Sequence, residues 1–275
     1  MPELPEVETI RLQLSKLIIG SKIKDIQIFQ RKSFTGDEKL LIGANISGLR
    51  RFAKMLVMDT DKGLLLAVHL KMTGQLIYKK FKLQNSNNKK ETLPNKYTRV
   101  IINFTDGSKL FFNDLRRFGW IKAVKEQDLE EIISKLGPDP MEMGDSDFDK
   151  ILKSAKKPIK LLLMDQEKLG GVGNIYANEA LFAARIIPKI QANKLTFKRS
   201  QILLESLKES LKKGIKWGGA SDNDYLDAYG EQGEMQEHFL VYGREGEKCL
   251  NNCGGKVERI KMGGRSTFFC PRCQK

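Results

Sequence analysis

All four cysteines of this 275-residue chain lie close to its carboxyl-terminal end, as the pair Cys249 and Cys253 followed by the pair Cys270 and Cys273. Two closely spaced pairs can place four thiolates at the corners of a tetrahedron, which is the arrangement of structural zinc. A closed shell of four ligands leaves no open position for catalysis. Two disulfides are the alternative, but no secretory signal opens the chain, so we expect a reducing compartment. The pattern predicts a ribbon that folds around one structural Zn²⁺.

The segment between the two cysteine pairs predicts a β-hairpin. Gly263 and Gly264 supply the residues of a tight turn, and Arg265 follows them directly. A rigid arginine at a hairpin tip suits a phosphate, because its planar guanidinium can donate two parallel hydrogen bonds. The alternative is a solvated arginine with no ligand.

The charge balance of the chain points to a polyanionic partner. Its 48 lysines and arginines exceed its 34 acidic residues, which leaves a formal net charge of +14. Nucleic acid is the leading candidate for the partner of such a chain. No stretch approaches the ~20 apolar residues of a membrane span. We therefore expect a cytosolic, monomeric protein that binds nucleic acid and no membrane.

The first six residues, Met1-Pro2-Glu3-Leu4-Pro5-Glu6, place a nucleophile beside two carboxylates. A methionine before a proline is normally trimmed, which would leave the Pro2 nitrogen as a free secondary amine. An α-amino group titrates near pH 8, so roughly a tenth of it is unprotonated at neutral pH and can form a Schiff base. Glu3 and Glu6 lie at the start of a predicted helix, whose dipole favours their charge. The alternative is that the prolines and glutamates only start the helix.

The character of the chain changes from strand-like to helix-like after Val124. Before that point, turn sequences at Asp61-Lys62-Gly63 and Asp106-Gly107 predict two hairpins, which indicate a sandwich or a barrel. A polar stretch at 79–96 predicts a basic loop. Beyond Val124, apolar residues at helical spacing predict helices at 151–168, 174–185 and 200–213.

Three segments of the chain resemble bacterial formamidopyrimidine-DNA glycosylases, which excise oxidised purines from DNA. These segments are MPELPEVET at the amino terminus, GGVGNIYANEALF at 170–182 and GGRSTFFCPRCQK at 263–275. One departure is the three residues between Cys249 and Cys253, where the family usually has two. Zinc ligation should survive that change.

The resemblance implies an α+β fold in three parts. Residues 1–135 would form a catalytic β-sandwich domain with a leading helix. Residues 136–246 would form a helical domain with a helix–two-turn–helix element and a loop, at 218–242, that closes over the damaged base. Residues 247–275 would form the β-hairpin zinc finger.

The resemblance also implies the chemistry of the amino-terminal residues. Pro2 would attack C1′ of the damaged nucleotide, Glu3 would act as general acid and base, and Glu6 would orient water or the substrate. The catalytic set implied in this way is Pro2, Glu3, Glu6, Lys54 and Arg265.

Further positions match the DNA contacts of the family. Lys54, His69 and Asn174 match residues that hold phosphates, and Arg265 matches the tip arginine of the zinc finger. Met72, Arg116 and Phe118 match the residues that fill the space left by a flipped nucleotide, although Met72 and Phe118 by themselves are more typical of a core. The DNA-binding set is His69, Met72, Arg116, Phe118, Asn174 and Tyr242.

The function implied by the resemblance is base-excision repair. The chain would remove oxidised purines from damaged double-stranded DNA and then cut the strand by β,δ-elimination through a Schiff base to Pro2. An endonuclease VIII-like glycosylase for oxidised pyrimidines is the nearest alternative. A non-catalytic zinc-ribbon DNA-binding protein is an alternative from a different class.

Overall fold

The computed structural model describes residues 1–80, 93–221 and 224–275. Its internal contacts divide the chain into two units. The first unit is Met1–Ser134 with Trp217–Glu234, and the second is Lys135–Lys216 with Met235–Lys275. Most of the basic loop predicted at 79–96 lies outside the described residues.

The first unit begins with a helix and continues with short strands, as the alternation of apolar residues predicts. The helix is α1 (Leu4–Ile18). The strands are β1 (Ile23–Ile28), β2 (Phe34–Thr35), β3 (Ile46–Phe52), β4 (Met55–Thr60), β5 (Leu65–His69), β6 (Gly74–Lys80), β7 (Thr98–Phe104), β8 (Ser108–Asp114) and β9 (Trp120–Val124). Single 3-10 turns at Arg31–Ser33 and Glu38–Leu41 lie between β1 and β3, and helix α2 (Glu126–Ile133) follows β9.

These strands form two sheets that share one core. Four strands pair in the order β1-β7-β8-β6, and five pair in the order β2-β9-β5-β4-β3. Met58 and Val68 of the five-stranded sheet belong to the same buried cluster as Ile102 and Phe112 of the four-stranded sheet. Apolar residues of α1 join that cluster, among them Leu14. The predicted β-sandwich with a leading helix is confirmed.

Both predicted hairpins are present in the sandwich. Strands β4 and β5 pair antiparallel around Asp61-Lys62-Gly63, and β7 and β8 pair antiparallel around Asp106-Gly107. Gly63 and Gly107 have φ values of +73° and +84°, which L side chains rarely adopt. Local turn chemistry is therefore enough to specify these two hairpins.

The segment 217–234 packs with the first unit, although the sequence division assigned it to the helical domain. The Tyr78 N–H of β6 donates to the Ala228 carbonyl at 2.8 Å. Tyr225 and Ala228 are members of the sandwich core. The ends of the segment meet where the Glu234 N–H donates to the Trp217 carbonyl at 2.8 Å. The segment is therefore closed at its ends and held against the sandwich by backbone hydrogen bonds and buried side chains.

The second unit contains helices α3 (Asp145–Lys153), α4 (Ile159–Leu163), α5 (Asn174–Ala183) and α6 (Phe197–Lys216). The helix predicted at 151–168 is wrong, because α3 ends at Lys153 and α4 begins after Pro158. Proline disfavours the helical conformation of the residue before it, so the chain is extended there. The two other helices are confirmed, with α6 longer than predicted.

Helices α5 and α6 pack closely because one position on α6 is a glycine. A Cβ atom at Gly214 would lie 2.3 Å from the hydroxyl oxygen of Tyr176, a buried residue of α5. A 3-10 turn at Ala192–Lys194 precedes α6, and another at Met235–His238 opens the second segment of this unit. The unit ends in strands β10 (Glu258–Met262) and β11 (Arg265–Phe269).

Replacing Leu14 by alanine should destabilise the first unit by about 2–5 kcal/mol, because Leu14 is 0% exposed and its loss leaves a cavity. Leu12→Ala on the same helix is the matched control, since Leu12 is 40% exposed. Both tryptophans, Trp120 and Trp217, belong to the first unit, so urea unfolding followed by tryptophan fluorescence measures its stability. Equal losses in the two variants would contradict the packing described for α1.

Candidate functional site

The amino-terminal turn of α1 is fixed by the carboxylate of Glu6. Pro2, Glu3 and Glu6 are all buried, and the exposed fractions of Glu3 and Glu6 are 2% and 1%. The Glu3 N–H donates to Oε2 of Glu6 at 2.7 Å. The Ala220 N–H donates to Oε1 at 2.8 Å. Both oxygens therefore accept backbone N–H groups, one beside Pro2 and one in the 217–234 segment.

The contact of this segment with α1 requires a glycine at position 219. Gly219 has a φ of +87°, and a Cβ atom there would lie 2.8 Å from Cγ of Glu6 and 2.8 Å from Cε1 of Tyr225. The Tyr225 hydroxyl donates to the Glu6 carbonyl at 3.3 Å. Burial, together with the negative charges of Glu6 and Asp227, raises the pKa of Tyr225 well above its ordinary value. Tyr225 is therefore a permanent donor near the chain start.

Lys54 lies in the turn between β3 and β4, and it is only 5% exposed. Ala53, the other turn residue, has a φ of +52°. Arg51 connects this turn to α1, since it donates to the Ala53 carbonyl at 3.2 Å and to Glu8 at 2.9 Å. Burial opposes the ionisation of Glu8, but hydrogen bonds from Arg11 and Arg51 outweigh it and lower its pKa. Charged contacts thus hold the Lys54 turn against α1.

His69, the last residue of β5, is a neutral donor. Its Nδ1 accepts the Lys71 N–H at 3.0 Å, so the ring proton resides on Nε2. Burial, together with the charges of Lys71 and Lys54, lowers the pKa of His69 to about 3. The ring lies 5.7 Å from that of Trp120, centroid to centroid. Such a ring offers one N–H to a ligand at every physiological pH.

The three predicted void-filling residues lie on two turns of the first unit. Met72 is half-buried in the turn between β5 and β6. Arg116 and Phe118 are exposed in the turn between β8 and β9. The Phe118 ring is 55% exposed, so it is no part of the core. The Arg116 guanidinium lies 5.0 Å from the centroid of that ring, within the range of a cation–π contact.

In the second unit, Asn174 is the first residue of α5. The loop before it is organised by Gln166, whose amide donates to the Val172 carbonyl at 2.7 Å and whose oxygen accepts the Gly171 N–H at 3.1 Å. The Asn178 amide donates to the Asn174 carbonyl at 2.5 Å. The first turn of a helix carries backbone N–H groups without intrahelical partners, which favour an anion.

Glu179 on α5 holds the residues that lead to the zinc finger. Its carboxylate accepts the N–H groups of Leu240, Val241 and Tyr242 at 2.8, 2.9 and 2.9 Å. Burial raises the pKa of Glu179, although these N–H groups act in the opposite direction. The Tyr242 ring lies 5.1 Å from that of Phe268, in an edge-on contact. Tyr242 is thereby fixed in position.

The predicted hairpin is confirmed, with a two-residue turn in which Gly263 and Gly264 both have positive φ and Met262 pairs with Arg265. Arg265 is exposed at its tip. Buried side chains of the helices fix the strand that carries it. The fully buried Lys160 donates to the Ser266 carbonyl at 2.8 Å and to the Thr267 hydroxyl at 2.7 Å.

Asn178 makes a second connection to the same strand. Its Oδ1 accepts the Phe268 N–H at 2.8 Å, while its amide group bonds to Asn174. One buried side chain therefore links the start of α5 to the strand that follows the Arg265 tip. Within this unit, the two predicted phosphate contacts share one structural support.

The four cysteines form one cluster, and all are free thiols. Their sulfur atoms lie within 4.8 Å of one another. Sγ of Cys249 is 3.6 Å from Sγ of Cys273, and Sγ of Cys253 is 3.5 Å from Sγ of Cys270. Tetrahedral zinc with Zn–S bonds of about 2.3 Å separates its sulfurs by roughly 3.8 Å. The residues fit a zinc ion, and the two-disulfide alternative does not describe this cluster.

Sequence reasoning missed the buried polar residues that support these positions. Lys160 lies in the apolar run PIKLLL, and Asn178 and Glu179 lie in IYANEALF. A polar residue inside an apolar helical run is a signal for a buried hydrogen bond. The bonding partners lie far away in sequence, so the signal indicates the need for a partner without identifying it.

Within the part of the chain that the structure describes, no helix combines the length and the apolar character that a membrane span needs.

Comparison with protein-family models finds three matches along the chain. Residues 1–121 match the formamidopyrimidine-DNA glycosylase N-terminal domain. Residues 136–225 match the formamidopyrimidine-DNA glycosylase H2TH domain. Residues 246–275 match a zinc finger found in FPG and IleRS.

Curated relatives and solved structures match over the whole length. Formamidopyrimidine-DNA glycosylases of Desulfitobacterium hafniense and Lactococcus lactis are 38% and 40% identical, with 100% of each chain covered. The MutM (Fpg) protein of Thermus thermophilus has a TM-score of 0.87 at 37% identity, covering 99% of this chain and 98% of that chain. A Lactococcus lactis Fpg mutant in complex with Fapy-dG-containing DNA has a TM-score of 0.88 at 33% identity, with both chains fully covered.

The depressed pKa of His69 predicts a pH-dependent stability of the first unit. The unfolded chain binds a proton at His69 near pH 6.5 and the folded chain does not until about pH 3, so this contribution is complete above pH 6.5 and is lost as the pH falls. Between pH 7.5 and 5.0 the wild type should lose about 2 kcal/mol more than His69→Gln. Urea unfolding followed by tryptophan fluorescence measures both, and parallel pH profiles would contradict a neutral His69.

Proposed function

We propose that this chain, which belongs to the formamidopyrimidine-DNA glycosylase family, excises oxidised purines from double-stranded DNA in base-excision repair and then cuts the damaged strand. The observation that carries the proposal is the chain start, where buried Glu3 and Glu6 lie directly beside Pro2 and Glu6 fixes the backbone on both sides. Glu3 and Glu6 form the capping box of α1, but Glu6 does more than start the helix, because its Oε1 also accepts the Ala220 N–H, a bond that a helix start does not require.

Removal of Met1 makes the nitrogen of Pro2 the nucleophile. This nitrogen forms a bond to C1′ of the damaged nucleotide while the bond from C1′ to the base breaks, and the base leaves with the bonding electrons. Opening of the sugar ring gives an iminium between Pro2 and C1′. The iminium acidifies the hydrogen at C2′, so β-elimination and then δ-elimination release the phosphates on both sides.

Glu3 is the general acid and base of these steps. It protonates the sugar ring oxygen as the ring opens and accepts the protons that the eliminations release. Glu6 supports Glu3, because its carboxylate accepts hydrogen bonds from the Glu3 N–H and the Ala220 N–H. Glu6 thereby positions the chain start, and we propose that it helps to orient water or the substrate there.

We propose that Lys54 and His69 in the first unit, and Asn174 and Arg265 in the second, contact the phosphates of the damaged strand. Phosphates are negatively charged, so a DNA strand suits a chain of net charge +14. The neutral His69 donates through Nε2, Asn174 supplies a donor at the start of α5, and Arg265 supplies a guanidinium at a fixed hairpin tip. Tyr242 contacts the DNA near this tip.

Flipping of the damaged nucleotide leaves an empty space in the base stack. We propose that Met72, Arg116 and Phe118 fill it, with the guanidinium of Arg116 bonded to the orphaned base and the Phe118 ring wedged against its neighbour. The exposure of Phe118 supports this role, because an exposed aromatic ring contributes little to the core.

We further propose that one zinc ion is bound by Cys249, Cys253, Cys270 and Cys273. Zinc stabilises the fold of the finger when bound, and it takes no part in the reaction. Ligation of zinc by four thiolates requires reduced cysteines, which fits a reducing, cytosolic compartment. We propose that the protein acts there as a monomer.

Matched duplexes with 8-oxoguanine, formamidopyrimidine or thymine glycol test the function. The wild type should excise both purine lesions, and Glu3→Gln should bind the same duplexes but lose excision, because a carboxamide of the same shape transfers no proton. Preferred excision of thymine glycol would favour the endonuclease VIII-like alternative. Tight binding with no excision of any lesion by the wild type would favour a non-catalytic DNA-binding protein.

Metal analysis tests the zinc proposal. The wild type should contain one zinc per chain, and Cys270→Ser should lose it and bind lesion DNA more weakly while the first unit keeps its unfolding transition, since the finger needs metal to fold. Lys261→Ala, an exposed substitution on β10, is the control and should keep the metal. Zinc far below one per chain in the wild type would contradict the proposal.

A further inference from the structure

Two turns of the first unit cross between its sheets side by side. The turn 70–73 connects β5 of the five-stranded sheet to β6 of the four-stranded sheet, and the turn 115–119 connects β8 back to β9. The strand ends that flank them are register partners, since His69 pairs with Trp120 and Gly74 pairs with Asp114. The first turn carries Met72, and the second carries Arg116 and Phe118.

One buried carboxylate bonds to both turns. Asp114, the last residue of β8, is 0% exposed. Its Oδ1 accepts the Thr73 hydroxyl of the first turn at 2.5 Å and the Arg116 N–H of the second at 3.2 Å. Its Oδ2 accepts the Gly119 N–H at 2.7 Å. The Thr73 hydroxyl oxygen in turn accepts the Arg116 N–H at 2.9 Å. Thr73, Arg116 and Gly119 are thus held by a single side chain.

Close backbone packing keeps both turns narrow. A Cβ atom at Gly74 would lie 2.4 Å from the Leu70 carbonyl oxygen, and one at Gly119 would lie 2.8 Å from Cζ of Phe112 and 3.2 Å from the His69 carbonyl oxygen. Gly119, at the end of the second turn, therefore packs against the backbone of His69, the residue directly before the first turn. A side chain at Gly119 would push the two turns apart.

Each turn also contains a non-glycine residue in the left-handed region. Lys71 has a φ of +52°, and Arg117 has a φ of +60°. Such residues are strained and persist only where surrounding contacts hold them. The bonds of Asp114 supply such contacts in the 115–119 turn and reach the 70–73 turn through Thr73.

We propose that Asp114 is a positioning residue that couples Met72, Arg116 and Phe118 into one preformed wedge. The inference rests on the proposed function, because the wedge acts only where a nucleotide is flipped out of a duplex. A preformed wedge enters the stack without first ordering two loops, so its benefit is realised at the flipping step. The chemistry at Pro2 needs no wedge once the sugar is accessible.

Two substitutions each disrupt the hydrogen bonds between the turns, one at Asp114 and one at Thr73. Asp114→Asn keeps the shape but places an amide donor where the carboxylate accepts N–H and O–H groups. Thr73→Val removes the hydroxyl that reaches Asp114 and Arg116 while it keeps the volume. Thr73→Ser retains the hydroxyl and is the matched control. The valine variant leaves the Asp114 side chain intact, so it keeps the test informative if Asp114→Asn fails to fold.

The experiment compares two substrates in single turnovers. One is a duplex with 8-oxoguanine, which requires flipping, and the other is a single-stranded oligonucleotide with a preformed abasic site, which does not. Asp114→Asn and Thr73→Val should excise from the duplex about tenfold more slowly or worse, and cut the single strand within about twofold of the wild type. Thr73→Ser should resemble the wild type on both. Fluorescence of 2-aminopurine opposite the lesion should report slower stack opening in the two uncoupled variants.

A purely structural role for Asp114 would lower both rates by the same factor, and that result would overturn the inference. Wild-type rates on both substrates in the two uncoupled variants would overturn it as well. These outcomes leave the proposed function intact, because the wild type remains active. A wild type inactive on both substrates would instead refute the proposed function and the inference with it.

Discussion

The two oxygens of Glu6 accept backbone N–H groups from Glu3 and from Ala220, and the proposed chemistry depends on this pair of bonds. The first bond fixes the residue that follows Pro2, and the second fixes the 217–234 segment on the first unit. A buried carboxylate is tolerated only where hydrogen bonds replace its water. The backbone next to Pro2 and the 217–234 segment are therefore both held by the Glu6 side chain, so a change in the position of one shifts the other.

Buried polar side chains serve the same purpose elsewhere in each unit. Asn178 joins the start of α5 to the strand next to the Arg265 tip, and Lys160 holds that strand from α4. Asp114 joins two turns in the sandwich, and the Glu179 carboxylate accepts backbone N–H groups of the residues before the zinc finger. A buried polar group without its hydrogen-bond partners raises the free energy of the folded chain. The hydrogen bonds around each of these side chains therefore form together or not at all. Rigid support of this kind keeps exposed residues for which we propose DNA contacts, such as Arg265 and Phe118, in a defined geometry.

Sequence reasoning succeeded where the determinants are local. The Gly263-Gly264 turn, the two sandwich hairpins and the clustering of the cysteines follow from residues next to one another. It failed at 151–168, where apolar spacing predicted one helix although Pro158 interrupts it. It also assigned 217–234 to the helical part, because the partner at Tyr78 lies far away in the chain. Asp114 escaped notice for the same reason, since its role requires a register between strands that no local pattern contains.

The central claim is that the Pro2 nitrogen is the nucleophile. Borohydride reduction of the protein on duplex DNA with 8-oxoguanine, followed by protease digestion and mass spectrometry, tests it most directly, because reduction converts an imine into a stable amine. The account predicts one adduct, on the peptide that begins at Pro2, and no adduct in a protein that retains Met1 or an amino-terminal tag. An adduct on a lysine, or undiminished trapping in the tagged protein, would contradict it.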